Sequence, residues 1–237
     1  MRVVMIGAIA ASGCVNSGKS SAHSDSSWQA AFGISECALA PTGRNQYFIL
    51  EPGFQIVLEG KGASGSHGKL TITVLDKTKT VDGVITRLVE EREWENGELI
   101  EVSRNFFAMC DSTKDVFYFG EDVDMYKGGK LVSHSGTWLA GKNGARVGLM
   151  MPGKPTVGMK YYQEVAPNVA MDRVKIVSMS ETVKTPAGEL TSCLKVEETT
   201  PLEPKVTGVK YYAPGIGRVQ DGWLKLVKVG KADELKE

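Results

Sequence analysis

The sequence predicts an all-β fold: a single curved antiparallel sheet, as a meander, half-barrel or open barrel, behind a disordered N-terminal tether. Two observations carry that expectation. Runs of β-branched and aromatic residues are punctuated by short turn signals at Asn96-Gly97, Gly128-Gly129 and Pro186-Ala187-Gly188. Beyond the tether only Ala166–Met171 has even a weak helical pattern, and short alternating runs between turn residues read as strands.

The centre of the pattern is Leu99–Tyr126. Val84–Val89, continuing to Trp94, precedes Asn96-Gly97, and Leu99–Val102, continuing to Phe107, follows it. Asn-Gly suits a type I′ turn because both central residues need positive φ. On the second strand Ile100, Val102, Phe106 and Ala108 share a parity and are expected to face the core, since alternate side chains share a face. Arg104 interrupts that face, as a bulge or as a buried stem with its head in water. Asp111–Asp115 is a polar turn, Val116–Phe119 returns, and Gly120 is a candidate bulge. If the strand is regular through Gly120, Tyr118, Asp122, Asp124 and Tyr126 share one face.

Strand signals also cover Tyr47–Leu58, with a turn at Pro52-Gly53, and Leu70–Leu75, where Leu70, Ile72 and Val74 alternate. Residues 136–155 form a long irregular stretch whose Trp138, Leu149, Met150 and Met151 are expected to cap one end of the sheet. Strands resume at Met159–Val165, Asp172–Val183, Glu189–Glu198 and Lys205–Tyr212, and Val219–Val229 is expected to close the sheet. The expected divisions are a lipoprotein-type signal segment at 1–14, a flexible tether at 15–44, the β-domain at 45–230 and a charged tail at 231–237. A short helix is drawn near Trp28–Ile34.

The first residues set the address. Arg2, a short apolar run, and then Ala11-Ser12-Gly13-Cys14 form a secretory pattern. The last four resemble a lipobox, in which Cys14 is lipidated, although Ala11 stands where Leu is usual. The expected location is the bacterial cell envelope, lipid-anchored on the periplasmic or cell-surface side, with the membrane as partner. The same residues offer a competing match. Gly13-Cys14-Val15-Asn16-Ser17-Gly18-Lys19-Ser20 fits the phosphate-loop pattern G-x-x-x-x-G-K-[ST] letter for letter. Its context argues against nucleotide binding, since a Ser-rich linker follows Ser20 in place of an amphipathic helix.

Charge and composition narrow the chemistry. Acidic and basic residues number 28 each, and no Lys/Arg run is present, so no nucleic-acid partner is indicated. Of the three His residues only His134 lies in a patterned region, and no G-x-S-x-G elbow accompanies it. No Cys/His pair has zinc-ligand spacing. Acidic residues are the remaining polar candidates: Glu121, Asp122 and Asp124 lie close in sequence, and Asp122, Asp124 and Glu164 compose a possible Ca²⁺ site, set against a solvated sheet face. Cys110 and Cys193 are candidates for a disulfide that leaves Cys37 unpaired, the alternative being separate packing residues. Phe117, Phe119, Tyr161 and Tyr212 are candidates for a concave aromatic surface that holds an apolar small molecule or lipid.

Two stretches carry a resemblance. Tyr47-Phe48-Ile49-Leu50-Glu51-Pro52-Gly53 and Lys210–Val219, with Phe117–Tyr126 and Tyr161–Pro167 between them, resemble a group of uncharacterised bacterial secreted proteins and lipoproteins. The resemblance implies a curved antiparallel sheet, as in the half-barrel of LolA/LolB-like lipoprotein carriers, and implies no activity. The expected function is therefore a binding or scaffold module, not a catalyst. The alternatives are a divalent-metal-binding protein or metal-dependent enzyme at the acidic cluster, and nucleotide binding at Gly13–Ser20.

Overall fold

The computed structural model describes residues 28–235. Cys14, the phosphate-loop match at Gly13–Ser20, and the signal and tether residues before Trp28 lie outside the described residues. The strands are β1 (Leu39–Ala40), β2 (Arg44–Asn45), β3 (Phe48–Ile49), β4 (Phe54–Lys61), β5 (His67–Val81), β6 (Val84–Glu95), β7 (Glu98–Cys110), β8 (Val116–Lys127), β9 (Lys130–Ser133), β10 (Trp138–Leu139), β11 (Gly148–Met151), β12 (Lys160–Tyr162), β13 (Arg173–Thr185), β14 (Gly188–Thr199), β15 (Thr207–Ala213), β16 (Gly217–Asp221) and β17 (Leu224–Lys231). All but β2 and β3 belong to one large antiparallel sheet, as the sequence predicts.

Two meanders build that sheet. One runs outward from β4 to β8 and the other from β17 back to β12, and they join where β4 pairs with β17. The strand expected to close the sheet is thus in its middle, and the stretch around Asn96-Gly97 lies toward one end. The local turn chemistry is as expected: Asn96 and Gly97 sit at φ 52° and 84°.

The sheet is strongly curled. β5, β4 and β17 intervene between β6 and β16, which would hold a flat sheet's β6 and β16 roughly 19 Å apart at about 4.8 Å per strand. Yet Glu91 on β6 and Arg218 on β16 hydrogen-bond at 3.1 Å. The shared face is therefore concave. The ladder does not close into a barrel. Its ends meet through irregular backbone, where Arg146 N–H donates to Val165 O at 2.8 Å and Gln163 Nε2 donates to Met150 O at 3.1 Å.

A bulge at Gly120 resets the parity of β8. Asn105 opposes Glu121 while Phe107 opposes Tyr118, so β8 carries one extra residue. Gly120 is at φ 135°, and a Cβ there would lie 2.3 Å from Trp138 O, so only glycine allows β10 this close. Tyr118 consequently shares its face with Glu121 and not with Asp122, Asp124 and Tyr126. Val102, Phe106 and Ala108 are buried as expected, and the opposite parity of β7 is buried as well. Ser103, Asn105 and Phe107 face the concave side, while Arg104 lies on the outer face with Glu90 and Asp124.

The packed domain begins before residue 45. Gln29 bridges Tyr161, β1 pairs with the end of β7, and Phe32, Ile34 and Leu39 pack on the core. Apolar burial thus fastens part of the expected tether. The expected helix near Trp28–Ile34 is replaced by a 3₁₀ turn at Ile34–Glu36, and Ala166–Met171 is a turn. Registering Leu39 opposite Cys110 brings Cys37 alongside, and the disulfide is Cys37–Cys110, with Cα atoms 5.2 Å apart. The expected Cys110–Cys193 pairing is corrected accordingly: Cys193 is free and buried. Trp138, Leu149, Met150 and Met151 are buried, so the 136–155 stretch caps the sheet as expected. The charged tail folds back, with Ala232 N–H donating to Gly53 O at 2.9 Å.

Candidate ligand pocket

Alternation on β4, β5 and β6 turns Phe54, Ile56, Ile72, Val74 and Val89 toward the concave side. There they wall a narrow pocket of about 40 Å³. The opposite wall is the β2–β3 ribbon, through Phe48 and Ile49, together with Ile216 and Gly217 from the β15–β16 turn. The ribbon is held in place by its own polar groups. Asn45 Nδ2 donates to Lys114 O and Pro152 O at 2.9 Å each, and its Oδ1 accepts from Tyr47 N–H at 2.8 Å. Gly215 N–H donates to Gln46 O at 2.8 Å, tying the turn to the ribbon.

One end of the pocket is polar. Glu91, Arg218 and Tyr212 line it. Arg218 Nη1 and Nη2 donate to Glu91 Oε2 and Oε1 at 3.1 Å each, and Nη1 also reaches Asp221 Oδ2 at 3.3 Å. Behind them Lys210 Nζ donates to both Glu198 oxygens at 2.8 Å and lies 3.8 Å from Asp221. Burial opposes the charge on Arg218 and Lys210, but the surrounding carboxylates outweigh it and raise both above their ordinary values. Glu93 is pushed well above the usual carboxylate range, by burial first and then by Glu101, Glu91 and Asp221. Tyr212 is 1 % exposed, and its hydroxyl finds no hydrogen-bond partner among the described residues. Burial raises its phenol, which therefore stays protonated at neutral pH.

The sequence-predicted aromatic residues do not form one surface. Tyr212 lines the pocket. Phe117 lines a different depression beside the disulfide and packs on Phe32 at 6.3 Å between ring centroids. Phe119 and Tyr161 are enclosed in the core.

The expected Ca²⁺ site is not assembled. Asp122 and Asp124 lie on the outer face, where Asp122 pairs with Lys79 at 2.8 Å and Asp124 with Arg104 at 2.9 Å and His134 at 2.9 Å. Glu164 is buried on the inner side, within electrostatic reach of Glu121 and Asp172. The bulge at Gly120 sends Glu121 inward and its neighbour Asp122 outward. Among the described residues no three His, Cys, Asp or Glu side chains form a group that could hold a metal ion. Burial, and then Glu164, raises Glu121 to about 7 and Asp172 to about 8. These inner carboxylates sit where the two ends of the sheet approach, beside a depression bounded by His134, Asn168 and Thr200.

No family model matches the chain, and no curated protein matches it. Among solved structures it is similar to a presumed exported protein with a YmcC-like fold from Bacteroides fragilis. That likeness has 19% identity, covers 79% of this chain and 100% of that one, and has a TM-score of 0.39.

Sequence reasoning missed Glu91, Glu198, Lys210 and Arg218. A signal existed for three of them: Val89-x-Glu91, Val196-x-Glu198 and Lys210-x-Tyr212 each place a charge at the parity of a buried apolar or aromatic neighbour. The two stretches that carry the family resemblance, 47–53 and 210–219, also converge here, contributing Phe48 and Ile49 from one and Tyr212, Ile216, Gly217 and Arg218 from the other.

Proposed function

We propose that this protein is an exported binding module that holds a small apolar ligand, with lipids the favoured class, inside the curled sheet. It is anchored to the bacterial envelope through a lipid on Cys14. The observation that carries the reading is the pocket itself. An apolar lane between β4–β6 and the β2–β3 ribbon ends in a few buried polar groups, the pattern that binds and orients small ligands. Export is supported separately by the Cys37–Cys110 disulfide, because such bonds persist in oxidising compartments. The Ala11-Ser12-Gly13-Cys14 sequence supports the anchor. Kinship with LolA/LolB-like carriers belongs to the same proposal.

Native mass spectrometry of protein purified from its own source tests the reading. A bound apolar species is expected on the wild type. Ile72→Trp, which fills the lane, is expected to lose it while keeping the β circular dichroism spectrum. Wild-type protein that carries no apolar species and takes none up on incubation with lipid extract overturns it. For the anchor, Cys14→Ala is expected to move the protein out of the membrane fraction, and unchanged partition overturns lipidation.

A further inference from the structure

We infer that the outer face around Trp28, β12 and the start of β13 is a docking surface for an anionic membrane, a second hold beside the lipid on Cys14. The inference rests on the anchor proposed above and names the face that the folded domain turns to that membrane.

Strand register builds the surface. Lys160 and Lys175 stand directly opposite each other on β12 and β13, as do Tyr162 and Arg173. Val174 and Ile176 are buried in the core, so Arg173 and Lys175 share the outer side by alternation. Gln29 runs beside β12: its N–H donates to Lys160 O at 3.0 Å, and Tyr162 N–H donates to Gln29 O at 2.9 Å. That contact lays the Trp28 ring 4.3 Å from Arg173 Cζ, edge-on to Tyr162 at 6.3 Å, and 5.6 Å from Lys160 Nζ. The turn at Thr156–Met159 lies alongside, with Gly158 N–H donating to Ile176 O at 2.8 Å. Val157 on that turn is 62% exposed, and Lys154 before it is exposed too.

This chemistry fits a partner that is anionic and partly apolar. Like charges directly opposite on adjacent strands destabilise a sheet, and Lys160 and Lys175 are such a pair; an anionic surface relieves them. Lys154 and Arg173 add to the positive charge. The acids nearby are Glu197, opposite Lys175, and Glu36, which shares a depression with Lys154. The whole chain has no net charge, so the excess of cations is local. Trp and Tyr rings set among Lys and Arg suit a membrane–water interface, and Val157 offers apolar area to insert there. The anchor decides the occupant. Trp28 stands 14 positions after Cys14, a covalent reach of at most about 50 Å, and of all the described residues it is the nearest to Cys14 along the chain.

The test uses the full-length chain with Cys14→Ala, so that no lipid holds it, and an NBD fluorophore on Val157→Cys. Vesicles of phosphatidylcholine mixed with phosphatidylglycerol are expected to shift the emission to the blue, and phosphatidylcholine alone much less. A label on Val132→Cys, 60% exposed at the other end of β8, is expected not to respond. Lys160→Gln/Lys175→Gln is expected to weaken binding to the anionic vesicles at least about tenfold, with the β circular dichroism spectrum unchanged. The apolar residues near Met1 would bind both kinds of vesicle alike, so dependence on phosphatidylglycerol reports the lysines. No shift with anionic vesicles, an equal shift at Val132→Cys, or binding that the lysine variant retains overturns the inference. Retention on heparin without vesicle binding assigns the face to a soluble polyanion and overturns it as well. Acylation of Cys14 is read separately, from the mass of the wild-type N-terminal peptide, so a failed anchor and a failed docking face are told apart.

Discussion

Glu91 on β6 and Arg218 on β16 meet through paired hydrogen bonds of 3.1 Å, although β5, β4 and β17 lie between their strands in the sheet. The pair therefore reports the curl of the sheet and sets the polar end of its pocket. Both side chains are buried, so removing one leaves the other charged without its main partner. Arg218→Met should lose about 3–5 kcal/mol in urea unfolding, and the double variant Glu91→Leu/Arg218→Met much less than the sum of its singles. The outer-face pair Lys79–Asp122, with side chains 36% and 43% exposed, provides the contrast: Asp122→Asn should cost less than about 1 kcal/mol. Equal losses from the two pairs would show that the inner one has no special place in the fold.

The disulfide fastens the N-terminal segment to the end of β7 across a sequence separation of 73 residues. Closing a loop of that length limits the unfolded chain, so Cys37→Ser/Cys110→Ser should lose about 4 kcal/mol. Thiol labelling of the denatured, unreduced protein should mark Cys193 and leave Cys37 and Cys110 unmarked. Label on Cys110 in place of Cys193 would restore neither pairing considered for it, and label on all three would remove the disulfide altogether.

Stability should depend on pH through the inner carboxylates. Burial, and then repulsion by Glu164, raise Glu121 from 4.5 to about 7 and Asp172 from 3.8 to about 8. The folded state then binds these protons more tightly than the unfolded chain. Their contribution is fully present below about pH 4 and is lost as the pH rises through about 7 to 8. Glu121→Gln, which mimics the protonated form, should match the wild-type melting temperature near pH 4.5 and exceed it near pH 8.5, by up to about 3 kcal/mol of stability. A variant whose advantage does not grow with pH would show that Glu121 titrates normally.

The junction between the two ends of the sheet is close-packed backbone. A Cβ on Gly148 would lie 2.0 Å from Gln163 O and 3.1 Å from Glu164 N, with no flexible side chain to yield. Gly148→Ala should lower stability by about 2 kcal/mol or more while the far-ultraviolet spectrum stays β. Amide exchange should then speed up at Arg146 and Ala166 before it does in the β4–β17 ladder. Uniform acceleration throughout the sheet would mean that the junction does not open on its own.

The all-β class and the hairpins were legible in the sequence, because they are decided by neighbours. Asn96-Gly97 needs only its own positive φ angles to make a turn, and Leu70, Ile72 and Val74 need only strand alternation to share a face. Alternation could not say which face lies inside. The curl set Ser103, Asn105 and Phe107 on the concave side, while Val102 and Phe106 on the other parity are buried as well, and the bulge at Gly120 then parted Glu121 from Asp122. The β4–β17 pairing, the partner of Cys110 and the meeting of Glu91 with Arg218 were likewise settled only by tertiary structure. Each joins residues far apart in the chain, and such contacts form when a whole sheet closes its loops and buries its apolar faces together, a collective outcome to which no local run of residues corresponds.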